Sequence, residues 1–216
     1  MRLNYFVGWH LARLLFRTLF RWRVYHWDRV PPRGPVILAA NHASLLDPPL
    51  VGAATRRDIH YLARDSLFRN PVFGWVLRSV NCVPVDREGG SPAGLKAIVD
   101  RVQAGNAVLL FPEGTRTRDG QLQPARAGIG LIVIRCTAPV VPVRVFGTFE
   151  AWPRHARWPR PHPVVVKFGL PLDFSAWRRE SETCSKPRLK EIYREVATQI
   201  LQGIAQLTPH REVAAF

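Results

Sequence analysis

The chain has 216 residues, 47% hydrophobic and 22% charged, which suits one domain with a real core and excludes a largely disordered chain. Three scattered cysteines (Cys82, Cys136 and Cys184) exclude a disulfide framework or a structural zinc site and fit a reducing compartment. Lys and Arg number 31 against 16 Asp and Glu, a net charge of +15 that calls for a polyanion: nucleic acid, an anionic membrane or an acidic substrate.

Residues 1–28 read as an amphipathic, membrane-associating segment ahead of a domain spanning 29–216. Within 5–22 almost every residue is apolar or aromatic, and His10, Arg13, Arg17 and Arg21 recur at helical spacing. Three arginines argue against a membrane-crossing helix. No A-x-A site follows, and the charges interrupt any signal-peptide core. A basic helix lying in a membrane surface, with its arginines toward lipid phosphates, remains.

Pro31-Pro32-Arg33-Gly34-Pro35 breaks the chain. Apolar runs then predict strands at 36–40, 59–63, 81–85, 107–111, 140–145 and 164–168. Helical patterns occupy 50–54, 71–80, 91–105 (capped by Ser91), 128–135 and 187–207, with an irregular basic arm at 152–163. Strands alternating with helices predict an α/β domain.

Three polar clusters follow apolar strands, where open α/β sheets place their ligands. His42, with Asp47 five residues on, suits a general base whose second ring nitrogen is held by a carboxylate. On a straight helix the two would point about 140° apart, so the pair needs a turn. Arg87 and Arg116 are candidate anion clamps, since guanidinium binds phosphate bidentately and stays charged. Beside Arg116, Gly114 permits close backbone approach, Thr115 offers a hydroxyl and Glu113 a carboxylate. No GxSxG, GxxxxGK[ST], HExxH or strand-borne GxGxxG pattern occurs, which removes the usual support for several other enzyme classes.

Asn41-His42 to Asp47, Val83-Pro84-Val85-Asp86-Arg87, Phe111-Pro112-Glu113-Gly114-Thr115-Arg116 and Val141-Pro142-Val143 occur in the order of four family signatures. Together they resemble the lysophospholipid acyltransferase family, that of 1-acylglycerol-3-phosphate acyltransferase, over about residues 30–172. The hexapeptide is the specific part, matching by chance at roughly one position in tens of millions. Thr117, Arg64 and Arg126 stand where the family usually has Ser, Lys and Lys, swaps that keep hydroxyl or charge.

The resemblance implies a single domain with a mixed, mostly parallel central sheet flanked by helices. It implies acyl transfer from acyl-CoA or acyl carrier protein to the hydroxyl of a lysophospholipid acceptor, 1-acylglycerol 3-phosphate, giving phosphatidate. His42 and Asp47 would be catalytic, and Arg64, Arg87, Glu113, Gly114, Thr115 and Arg116 would bind substrate. No cofactor, metal or covalent acyl-enzyme is implied. The expected partner is an anionic membrane surface at the cytoplasmic face of the cell membrane, with Trp152 to Arg160 as a possible second contact. Other lysophospholipids, glycerol 3-phosphate or a lyso-aminolipid are alternative acceptors. A nucleic-acid partner is not expected, because it would leave His42, Asp47 and the hexapeptide without a role.

Overall fold

Val36–Ala40 carries five apolar side chains in a row and is buried throughout, as a strand covered on both faces must be. The computed structural model describes residues 3–85 and 92–210. Its strands are β1 (Arg23–Tyr25), β2 (Val36–Ala40), β3 (Ile59–Arg64), β4 (Cys82–Val85), β5 (Ala107–Leu110), β6 (Val140–Phe146) and β7 (Val165–Phe168). Its helices are α1 (Leu3–Leu19), α2 (Asp47–Ala54), α3 (Pro71–Ser79), α4 (Pro92–Gln103), α5 (Ala127–Arg135), α6 (Thr148–Ala151), α7 (Ser175–Thr183) and α8 (Lys186–Ala205).

The strands form one sheet in the order β1-β7-β6-β2-β5-β3-β4. Every pairing is parallel except β6 with β7, so β7 and β1 run against the other five. This is the mixed, mostly parallel sheet that the sequence predicts. Alternate residues of β2 point to opposite faces. Val36, Leu38 and Ala40 join a cluster with α1 and α2, while Ile37 and Ala39 join one with α4, α5 and α8. On the second face α5 and α8 touch backbone to backbone. A Cβ on Gly130 would lie 2.0 Å from the Tyr193 carbonyl oxygen, so only glycine fits there.

Three features depart from the sequence reading. First, residues 23–25, set apart with the N-terminal segment, form β1 and pair with β7 in the main sheet. Second, α6 and α7 fall where no helix is predicted. Third, the cationic stripe of α1 divides. His10 and Arg17 face outward, but Arg13 turns inward and donates to the Ala53 carbonyl at 2.8 Å. Its guanidinium lies 4.3 Å from the Trp9 ring centre and 5.3 Å from that of Trp22, and burial lowers its pKa. Trp9 Nε1–H donates to the Thr55 carbonyl at 2.9 Å, so α1 satisfies two carbonyls at the end of α2.

Tyr5, Phe16, Phe20 and Trp22 are buried beneath α1. Its outward side is the apolar one: Phe6, Val7, Leu11, Leu14, Leu15 and Leu19 are 46–64% exposed. Among the described residues no helix is long and apolar enough to cross a membrane. Ser91, the expected cap of α4, lies outside the described residues.

Candidate active site

The chain leaves β2 at Ala40 and must reach α2 at Asp47 through six residues. The Asp47 side chain closes that turn itself. Its Oδ2 accepts from the backbone N–H groups of Ala43 (2.6 Å) and Ser44 (2.7 Å) and lies 2.9 Å from His42 Nδ1. This is the bend that the five-residue spacing requires. Asp47 is wholly buried and opens α2, where free N–H groups stabilise a carboxylate. Facing that acceptor, a neutral His42 places its ring proton on Nδ1, which leaves Nε2 free to accept another.

Asn41 ties the turn to the neighbouring strand. Its amide donates to the Val145 carbonyl (3.0 Å) and accepts the Val145 N–H (2.7 Å), adding one more rung beyond the β2–β6 ladder. No positioning part for Asn41 is readable in the sequence, because its partner lies 104 residues away.

The hexapeptide follows β5, the other neighbour of β2, and holds His42 by its backbone and ring. Glu113 Oε1 accepts the His42 N–H at 3.2 Å, and the Thr117 N–H donates to the His42 carbonyl at 2.9 Å. The Phe111 ring stacks on the imidazole, with centres 4.0 Å apart and an 18° tilt. Glu113 is almost wholly buried, and its Oε2 has no hydrogen-bond partner among the described residues. Burial pushes its carboxyl up to about 7, with nearby Asp47 adding to the shift and the His42 and Gln123 N–H groups and Arg144 opposing it. The sequence casts Glu113 as a substrate ligand, whereas its contacts here are to the turn that bears the base.

Gly114 has a left-handed φ of +70°, and a Cβ there would lie 2.9 Å from the Arg126 side chain. The need for glycine is therefore met within the protein. Thr115 is half-buried beside it. Arg116, also half-buried, has its pKa lowered by burial and by the neighbouring charges of Arg154 and Arg64, against which Asp47 acts. The structure thus brings His42, Asp47, Glu113, Arg116 and Arg64 to one edge of the sheet, and it adds Arg154 from the basic arm. That arm is rooted at the site, since Ser44 Oγ donates to the Trp152 carbonyl at 2.8 Å. Among the described residues none of these three arginines has a carboxylate within ion-pair distance. Arg87 lies outside the described residues.

Comparison with known proteins places the chain in a family. A sequence profile for the family described as Acyltransferase matches residues 21–146. A 1-acyl-sn-glycerol-3-phosphate acyltransferase of Cocos nucifera is 31% identical over 147 residues, 67% of this chain and 48% of that one. One of Bacillus subtilis is 31% identical over 126 residues, 58% of this chain and 62% of that one. The matches therefore span about half to three-fifths of those two relatives. The fold is shared with the crystal structure of the 1-acyl-sn-glycerophosphate acyltransferase PlsC from Thermotoga maritima, at a TM-score of 0.72 and 22% identity, over 94% of this chain and 80% of that one.

Proposed function

The chain belongs to the acyltransferase family, and from that premise we propose that it moves a fatty acyl group from acyl-CoA or acyl carrier protein to the free hydroxyl of 1-acylglycerol 3-phosphate, forming phosphatidate. The observation that carries this reading is the buried His42–Asp47 pair at 2.9 Å, held at the carboxyl end of β2 with Nε2 left as base. In this mechanism Nε2 takes the proton of the acceptor hydroxyl while Asp47 supports the imidazolium. The oxygen attacks the thioester carbonyl, the tetrahedral adduct collapses, and the imidazolium returns the proton to the departing thiolate. No acyl-enzyme intervenes, and no metal or cofactor is called for.

Arg116 and Arg64, with Arg87, hold the acceptor phosphate, for which guanidinium is the natural counterion; among the described residues Arg116 and Arg64 have no carboxylate within ion-pair distance. Gly114 and Thr115 shape that pocket, and Glu113 fixes the turn beside it. Holding two substrates in register supplies roughly 7–11 kcal/mol of such an acceleration, and the base contributes about 10²–10⁴-fold. Both acceptor and product are lipids, so the working place of the protein is an anionic membrane surface on the cytoplasmic side, reached peripherally through α1.

The test is free-thiol release from long-chain acyl-CoA in detergent micelles with 1-acylglycerol 3-phosphate, for the natural chain and His42→Ala. The expected result is release that requires the acceptor, yields phosphatidate and falls at least about 100-fold in the variant. Near-normal turnover by His42→Ala would sink the mechanism. Release without acceptor would mark a thioesterase.

A further inference from the structure

Helix α3 presents to solvent what a helix of a soluble domain normally hides. Val72, Phe73, Trp75 and Val76 are 41–72% exposed, and Leu67 just before the helix is 41% exposed. At 100° per residue the four helical positions cover an arc of about 160°. The helix is nonetheless well built: Asn70 caps it by accepting the Phe73 N–H at 3.0 Å, Pro71 occupies the first turn, and Gly74 is buried. A Cβ on Gly74 would lie 2.9 Å from the Phe68 carbonyl oxygen, so the helix is seated on that side and its outward apolar side is the unpartnered one.

This face is continuous with the outer face of α1. Val80, at the end of α3, packs on the same cluster as α1 and α2, and a Cβ on Gly8 of α1 would lie 3.8 Å from its Cγ1. Of the fifteen large apolar side chains exposed among the described residues, six belong to α1 and five to 67–76, leaving four elsewhere. Neither helix contains an acidic residue. The exposed charges around the two faces are mostly cationic: Arg17 on α1, and Arg64, Arg69 and Arg78 beside α3, with the carboxylate of Asp65 set next to Arg64. An apolar plane bordered by four arginines against one aspartate, on a chain of net charge +15, complements an anionic bilayer rather than an ordinary protein surface.

We propose that α3 is a second membrane-contact helix, which enters the headgroup region of an anionic phospholipid bilayer together with α1. This deepens the reading of the chain as a lipid enzyme, because α3 is the next α-helix after β3, whose last residue is Arg64, across the short turn Asp65–Phe68. Two helices define a plane where one defines only a line, so the carboxyl edge of the sheet is held at a fixed tilt to the lipid.

The experiment measures binding of the full chain to phosphatidylcholine vesicles, with and without phosphatidylglycerol, by co-sedimentation, so turnover does not enter. Phe73→Ser with Trp75→Ser is expected to weaken binding to the anionic vesicles about tenfold or more, as Leu11→Ser with Leu14→Ser should. Lipids brominated on their acyl chains should quench the natural chain more than Trp75→Phe, and this second readout decides the matter if the double variant misfolds. Binding unchanged in the α3 variant, with equal quenching of Trp75→Phe, overturns the proposal. So does a lipid-free dimer in sedimentation velocity that the α3 variant dissociates without change in vesicle affinity, since a second copy would then be the occupant. Failure of acyl transfer alone, with vesicle binding intact, would count against the enzymatic reading and leave this one standing.

Discussion

Glu113 shows how a residue can act on the proposed base through that base's backbone. Its side chain holds the peptide of His42 at 3.2 Å, and its burial raises its carboxyl to about 7 from an ordinary 4.5. A carboxyl whose pKa is higher folded than unfolded binds more protons in the native state. Its stabilisation is therefore complete below about 4.5 and is lost as pH rises through about 7, a change of about 3 kcal/mol. Glu113→Gln keeps the carbonyl that accepts from His42 but cannot ionise. The natural chain should thus be more stable relative to Glu113→Gln at pH 5 than at pH 8, by about 2.5 kcal/mol in urea unfolding. A difference independent of pH would mean that the carboxyl is already ionised in the folded chain across that range. The sequence presents this residue as one of several polar groups in a hexapeptide. Its bond to a backbone 71 residues away has no local signature.

At the scale of elements, legibility followed periodicity. Long apolar or amphipathic stretches such as β2, β5, β6 and α8 were readable because burial on one or both faces leaves a period in the chain. β1 is three residues, Arg23–Tyr25, too short to carry one, and its place beside β7 is set by tertiary pairing. α7 is dominated by charged residues around Trp177, so its helical period is faint. The cations of α1 were legible as a stripe, but Arg13 goes inward to a carbonyl and two indole rings that only the fold supplies. Removal of residues 1–24 would therefore reach beyond the surface of the protein. It would strip Tyr5, Phe16, Phe20 and Trp22 from the core, and losses of about 3–5 kcal/mol for a single large aromatic compare with a whole stability of about 5–15. The truncated chain should fail to show a cooperative thermal transition by circular dichroism. A well-folded truncation would instead make α1 a detachable anchor.

At the scale of the molecule, the candidate site is a junction of three adjacent strands. Asn41 and His42 leave β2, Phe111 to Thr117 leave β5, and Val145 lies near the end of β6. The pairing of His42 with Asp47 is local, only five residues apart. Its clamps are not, reaching 71 residues to Glu113 and 104 to Val145. Parallel neighbours cannot meet through a hairpin, so each clamp waits for a long stretch of chain with its own strands and helices to close, and such closures are slow. Competence at His42 is therefore among the last properties the chain acquires. On dilution from denaturant, helix content should return ahead of acyl transfer, with the interval set by the docking of β5 and β6 on β2; simultaneous recovery would mean that the turn at 41–47 forms in working shape alone. If the two proposals hold, a nascent chain of this protein passes through a long interval in which its lipid-seeking helices exist and its chemistry does not.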